Sequence, residues 1–245
     1  MKELIKKRFN SASDSYDKVA QVQKESAKLL VHYLLQNFPF FFPKNILDLG
    51  SGTGYVVESL LDHYPNSHYT INDFSEKMLK KAKEKFIDYK DFTFFEGDME
   101  SVIFKNHDLI ISNLAFQWLD NFENCIRKFH SQSKIIAFSC LLEDTFKEWA
   151  DFFIANNLSS PIKTYPNLEE LKVLLNKITS RNYKIYSKKF THSFTDTKSF
   201  FSYLKRLGAS VGCNDYKISE IKKVLNEENF TFDVTYSIAF AILSK

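Results

Sequence analysis

Ile46-Leu47-Asp48-Leu49-Gly50-Ser51-Gly52-Thr53-Gly54 decides the fold. A short run, apolar but for one acid, ends in three glycines at alternate positions. A helical pattern follows from Tyr55 to Tyr64. The chain has 6 glycines in 245 residues, so three within five positions are not loop filler. Glycine lets a backbone turn tightly and approach a ligand closely. In open α/β sheets, ligands settle beyond the carboxyl ends of the strands, where helix N-termini point. The stretch therefore predicts a ligand cleft at one edge of a parallel sheet. No Gly-Lys-Ser/Thr accompanies it, which excludes a P-loop.

Outward from this stretch, strand and helix alternate. Strands are predicted at Ser67–Ile71, Phe92–Phe95, Asp108–Ser112 and Lys134–Ser139. The helix capped by Ser75 runs to about Phe86, with Met78, Leu79 and Ala82 on its packing side. Another helix covers Asn121–His130. This rhythm fits a parallel sheet with right-handed crossovers. Residues 1–37 read as helical, broken near Ser11 to Ser15, and Pro39 and Pro43 close them. Residues 141–180 interrupt the alternation with helical patterns at Thr145–Asn156 and Leu168–Ile178. About 40 residues make a poor core of their own, so this segment reads as an inserted cap in a single domain, 1–245. A strand near Tyr183–Phe190, helices at Thr195–Leu207 and Ser219–Asn226, and a strand over Phe230–Leu243 complete the chain.

Composition narrows the class. Hydrophobic residues make up 44% and charged residues 26%, an ordinary globular balance. The net charge is +3 with mixed signs, and no long basic block marks a nucleic-acid footprint. Cysteines stand at 125, 140 and 213, without metal spacing or disulfide arithmetic. No stretch reaches the roughly 20 apolar residues of a membrane span. The expectation is a soluble cytoplasmic protein without metal.

Two further acids follow two further strands. Asp73 closes the second strand and can accept both hydroxyls of a ribose, since an ionised carboxylate only accepts. Asp98, in Gly97-Asp98-Met99, can take an adenine amino group, with Met99 against the ring. Each acid could instead cap the turn that follows it. A dinucleotide and S-adenosylmethionine are the ligands such a cleft would hold. Asp48, two residues before Gly50, favours the cationic methionine moiety over a pyrophosphate.

These motifs, with DLIISN at 108–113, resemble those of class I S-adenosylmethionine methyltransferases. That resemblance implies a Rossmann-like seven-stranded sheet, mostly parallel with an antiparallel last strand. Asp48, Gly50, Gly52, Gly54, Asp73, Asp98, Met99, Asn113 and Leu114 would be its donor-site residues. A narrower likeness spans almost the whole chain. Phe9 to Asp17 resembles the F-x-x-A-A-x-x-Y opening of the malonyl-[acyl-carrier protein] O-methyltransferases of biotin synthesis. Ser112-Asn113-Leu114-Ala115-Phe116-Gln117-Trp118 is similar to their S-N-L-A-x-Q-W. Phe138-Ser139, Phe194, Leu204-Lys205 with Gly208-Ala209, and Tyr236 match later positions.

The likeness implies methylation of the free carboxylate of a malonyl thioester, carried on an acidic carrier protein or on coenzyme A. Residues 1–37 would form a helical lid bearing Tyr16, and Gln117 and Trp118 would lie near the reacting end. The family's Asn-Arg-Phe segment is matched here by Pro161 to Pro166, so Lys163 is the cation there that could meet the substrate, with Arg181 and Arg206 the other candidates. Lys172, Lys177, Lys184, Lys188, Lys189, Lys198 and Lys205 would form a basic rim for the carrier. Other readings are O-methylation of another small carboxylic acid, methylation of an unrelated small molecule, or a non-catalytic protein that binds the donor.

Overall fold

The computed structural model describes residues 1–155, 157, 162–180, 182–209 and 232–245. The helix expected at 219–226, Arg181 and Cys213 lie outside them. In chain order the elements are α1 (Lys2–Val19), α2 (Gln21–Asn37), β1 (Asn45–Leu49), α3 (Tyr55–Leu60), β2 (His68–Asp73), α4 (Glu76–Lys85), β3 (Phe92–Glu96) and β4 (His107–Asn113). After a 3-10 turn at Phe116–Trp118 come α5 (Phe122–Ser131), β5 (Ser133–Leu141), α6 (Lys147–Ala155), α7 (Leu168–Thr179), β6 (Tyr183–Phe194), α8 (Thr197–Leu207) and β7 (Phe232–Ser244).

The seven strands form one sheet in the order β3-β2-β1-β4-β5-β7-β6. β1 pairs in parallel with β2 on one side and with β4 on the other, so the strand order reverses there. β4 and β5 are parallel, while β7 runs antiparallel to both β5 and β6. This is the Rossmann-like sheet with an antiparallel last strand that the motifs implied. The reversal beside β1 opens a crevice at the carboxyl ends of β1 and β4, the usual ligand position in such sheets.

Both faces of the sheet are covered. Ile46, Leu109, Ile135 and Ile238 pack with α2 and α3 on one side. Leu47, Ile110, Ile136 and Ala239 pack with α5 and α7 on the other. Alternate strand residues thus feed opposite cores, as the period of two requires. Edge strand β6 carries Lys184, Lys188 and Lys189, which discourage pairing with another chain.

Strand β6 runs four residues past the expected Phe190 to Phe194, and two helix boundaries differ from expectation. The N-terminal helices break at Ala20, whose ψ of 41° interrupts the α-helix, and not near Ser11 to Ser15. Helix α3 stops at Leu60 and not at Tyr64, because Pro65 keeps the residue before it out of helical conformation. Ser75 and Asn121 cap α4 and α5 with their side-chain oxygens.

Candidate active site

The three glycines do three different jobs. All have positive φ, at +65°, +57° and +91° for Gly50, Gly52 and Gly54. A Cβ on Gly54 would stand 2.4 Å from the Phe86 ring, so this glycine lets α3 and α4 pack. A Cβ on Gly50 would meet Ala115 Cβ at 2.5 Å and Met99 Cε at 3.0 Å. A Cβ on Gly52 would meet nothing nearer than the Tyr16 ring at 4.0 Å, because Gly52 faces an open cleft.

That cleft, lying under α1, has a cavity volume of about 70 Å³. Gly50, Gly52, Asp73, Asp98, Met99, Asn113 and Leu114 line it, and so do Tyr16 and Trp118. These expected residues therefore converge from the ends of β1, β2, β3 and β4 and from α1. Asp48, Gly54, Gln117 and Lys163 are not on its wall. Asp48 is 1% exposed behind the glycine turn, and neither carboxylate oxygen has a partner among the described residues. Burial, then the neighbouring Asp73, pushes its pKa well up. Gln117 donates to Leu114 O at 2.6 Å, and Lys163 Nζ donates to Gln117 O at 2.6 Å. Lys163 is exposed beside Trp118.

Asp73 shows why a strand-end acid suits this cleft. Its Oδ2 accepts from Gly52 N at 2.8 Å and its Oδ1 from Ser75 N at 2.7 Å. An ionised carboxylate has about four acceptor positions, so these bonds do not exhaust it. Burial raises its pKa to about 6 against the opposing pull of those backbone N–H groups. At the next strand, Asp98 accepts from Glu100 N at 3.0 Å and from Lys2 Nζ at 2.5 Å.

Lys2 also pairs with Glu100. Against the cost of burial, the N–H groups of Asp120 and Asn121 and the Lys2 ammonium hold the Glu100 pKa down at about 2. Lys2 begins a row of contacts along α1. Lys6 pairs with Glu96 at 2.9 Å, and Asn10 Oδ1 accepts from Ser75 Oγ at 2.7 Å. Asp14 meets Lys81 at 3.0 Å. Asp17 Oδ1 accepts from Thr53 Oγ1 at 2.6 Å and Tyr55 Oη at 2.5 Å. The helix thus lies over the cleft, tied to the glycine turn and to the ends of β2 and β3.

On the opposite wall, Leu114 has φ of +50°, a strained conformation for a branched side chain. A buried network holds it. Leu114 N donates to Ser139 Oγ at 3.0 Å, and Ser139 and Ser26 both donate to Asn113 Oδ1 at 2.7 Å. Asn113 Nδ2 donates to Gln23 O at 3.0 Å, which ties α2 to the end of β4.

Motifs pointed to Asn113, Leu114 and Ser139 but not to Ser26, Lys2 or Asn10. Those three act through contacts made by distant segments, and nothing local marks them. Of the seven lysines expected in a basic rim, Lys172 is paired with Glu169 and Lys189 with Asp144. Among the described residues there is no cluster of three or more His, Cys, Asp or Glu that could hold a metal ion. Nor is any of their helices long and apolar enough to cross a membrane.

The residues present fit S-adenosylmethionine. Gly52 offers a cradle that a Cβ would fill, and the buried Asp73 and the partly exposed Asp98 stand where a cationic nucleoside derivative would lie. Fold and site together define a class I S-adenosylmethionine-dependent methyltransferase, and residues 46–134 match the family model "Methyltransferase domain". The same fold occurs in a plantazolicin methyltransferase solved in complex with SAH, at TM-score 0.56 and 18% identity, over 100% of this chain and 97% of that one. It occurs again in magnesium protoporphyrin IX methyltransferase from Synechocystis PCC 6803 with bound SAH, at TM-score 0.63 and 15% identity, over the whole of both chains.

Sequence relatives are more specific. A malonyl-[acyl-carrier protein] O-methyltransferase of Neorickettsia risticii is 32% identical over 99% of this chain and 96% of its own length. One of Bacillus cereus is 34% identical over 85% of this chain and 81% of its own. The chain belongs to the malonyl-[acyl-carrier protein] O-methyltransferase family.

Proposed function

We propose that this enzyme methylates the free carboxylate of a malonyl thioester, carried on an acyl-carrier protein or on coenzyme A. The observation that carries this reading is similarity to the Neorickettsia relative over 99% of the chain, including the helix that lies over the cleft. In the malonyl reading, Asp73 receives the ribose hydroxyls, and Asp98 and Met99 flank the adenine. Asn113 and Leu114 hold the methionine end. Tyr16 and Trp118 close the cleft where the reacting groups meet.

S-adenosylmethionine, when bound, supplies its sulfonium methyl: a carbon–oxygen bond to the carboxylate forms as the carbon–sulfur bond breaks, and no proton moves. A carboxylate is ionised at neutral pH and needs no general base. The site accordingly works by alignment and exclusion of water. Tyr16 suits that role. Burial raises its pKa, so its hydroxyl stays neutral and cannot compete as a nucleophile.

Mass spectrometry of malonyl-carrier protein and malonyl-CoA after incubation with enzyme and donor tests the reading. A methyl ester on either supports it. Its absence from both, with donor bound, overturns it. Transfer to a free acid such as aconitate would instead support the small-acid reading.

A further inference from the structure

The segment after β3 folds into a single turn that carries two of the cleft residues, Asp98 and Met99. Ser101 N and Val102 N donate to Asp98 O at 3.0 and 3.1 Å, and Glu100 N donates to Asp98 Oδ1 at 3.0 Å. A turn of this kind cannot satisfy its last carbonyls from within. Lys128, on α5, collects them. Its Nζ donates to Met99 O at 3.2 Å, Glu100 O at 3.2 Å and Val102 O at 2.6 Å. An ammonium has three N–H bonds, so all three are used here, and each goes to a carbonyl rather than to an acid. Cations are favoured at the carbonyl end of a helical turn.

Helix α5 grips the same turn a second time. Glu100 accepts from Asp120 N and Asn121 N at 3.0 Å each, directly before α5 begins. Cys125, Ile126 and Phe129 anchor α5 in the core, so the ammonium of Lys128 is held on a fixed support. What it holds in turn is the cleft wall. Asp98 and Met99 both line the cleft. Met99 Cε lies 3.0 Å from where a Cβ on Gly50 would stand, so the Met99 side chain rests against the glycine turn. A lysine that only solvates a helix face would extend its ammonium into water. This one turns it onto three converging oxygens.

We propose that Lys128 is a positioning residue of the donor site: its ammonium sets the turn that presents Asp98 and Met99 to the adenine ring, and so fixes the preference for an adenine base. The inference rests on the reading that places adenine between these two residues, and it is independent of the acceptor. Lys128 is not on the cleft wall. It acts through the backbone of residues 99–102. Three carbonyl oxygens that converge on one point repel one another once the cation is gone. The turn then opens, and Asp98 leaves the position from which it accepts from the adenine amino group.

The test is titration calorimetry of SAH and of S-inosylhomocysteine, in which a carbonyl oxygen replaces the adenine amino group. Both are titrated into wild type, Lys128→Met and Lys128→Arg, with thermal midpoints alongside. Met removes the charge and keeps most of the stem. Arg keeps the charge, but its planar fork cannot point at three converging oxygens. Wild type should bind SAH about tenfold or more tightly than S-inosylhomocysteine, because the Asp98 carboxylate accepts from the amino group and repels the carbonyl. Lys128→Met should weaken SAH about tenfold and S-inosylhomocysteine much less, so that the ratio falls to about threefold or below. Lys128→Arg should keep part of the preference. A merely structural lysine would lower the thermal midpoint or weaken both ligands alike, and their ratio would stay as in wild type. That ratio in a folded Lys128→Met protein overturns the proposal. If Lys128→Met does not fold, the wild-type ratio in Lys128→Arg overturns it. Wild type that binds the two ligands equally overturns the placing of adenine at Asp98, whereas a wild-type preference that survives both substitutions overturns this inference alone.

Discussion

Adding one methyl group at Gly52 and one at Gly54 should break two different things. Gly52→Ala places a methyl in open space, with the Tyr16 ring 4.0 Å away and φ at +57°. Its folding cost is the left-handed strain alone, about 1–2 kcal/mol. For a chain of this size that lowers the thermal midpoint by about 2–8 °C. The same methyl projects into the donor cleft. Displacing a nucleoside by a methyl's width breaks two or more hydrogen bonds, each worth about 1–1.5 kcal/mol, so SAH affinity should fall about 30-fold or more. Gly54→Ala carries the same strain and drives Cβ to 2.4 Å from Phe86. Overpacking adds about 1–3 kcal/mol. Its destabilisation should exceed that of Gly52→Ala, while SAH affinity, measured cold where the protein is folded, changes little. Differential scanning fluorimetry and titration calorimetry on the two variants separate the effects. A Gly52→Ala protein that binds SAH like wild type would refute the assignment of this cleft to the donor.

Three other outcomes follow from the site. SAH affinity should fall as pH drops through about 6, because Asp73 titrates there and its neutral form accepts less well; the sign for stability is opposite, since a buried acid with a raised pKa favours the protonated folded form, so Asp73→Asn should abolish the affinity change and remove this residue's share of any gain in stability between about pH 6 and 4. Tyr16→Phe should lower kcat more than SAH affinity, and a larger loss of affinity than of kcat would give the hydroxyl a ground-state role. Asn113→Ala strands the Ser26 and Ser139 hydroxyls and the Gln23 carbonyl, so urea unfolding should show a loss of about 2–4 kcal/mol; a loss under about 0.5 kcal/mol would mean that solvent or rearrangement replaces the network.

The alternation of strands and helices was legible because each strand is a short apolar run bounded by turn residues. Asp73 and Asp98 were legible for a similar reason, since both follow such runs directly. The break at Ala20 was not, because no glycine or proline marks it and the change lies in a single ψ. Asp48 looked like a contact residue from its spacing, yet it is buried behind the glycine turn and is not among the residues lining the cleft. Lys163 was singled out as a cation near the substrate, and it sits on a backbone carbonyl beside Trp118. The three carbonyls on Lys128 belong to residues 26 to 29 positions before it. Helix α5 and the turn after β3 meet only in three dimensions, so periodicity could not reveal that neighbourhood.

The contacts along α1 bear on the timing of the reaction cycle. Polar groups at Lys2, Lys6, Asn10, Asp14 and Asp17 pin this helix across the donor cleft. If α1 is a lid, a spent nucleoside leaves only when several of these ties open together, with Ala20 the natural pivot. Such a cycle would run its first chemical event faster than those that follow it and give a burst in rapid-quench experiments. Added salt weakens the exposed ties and should speed the slow phase while leaving the burst amplitude near one per enzyme.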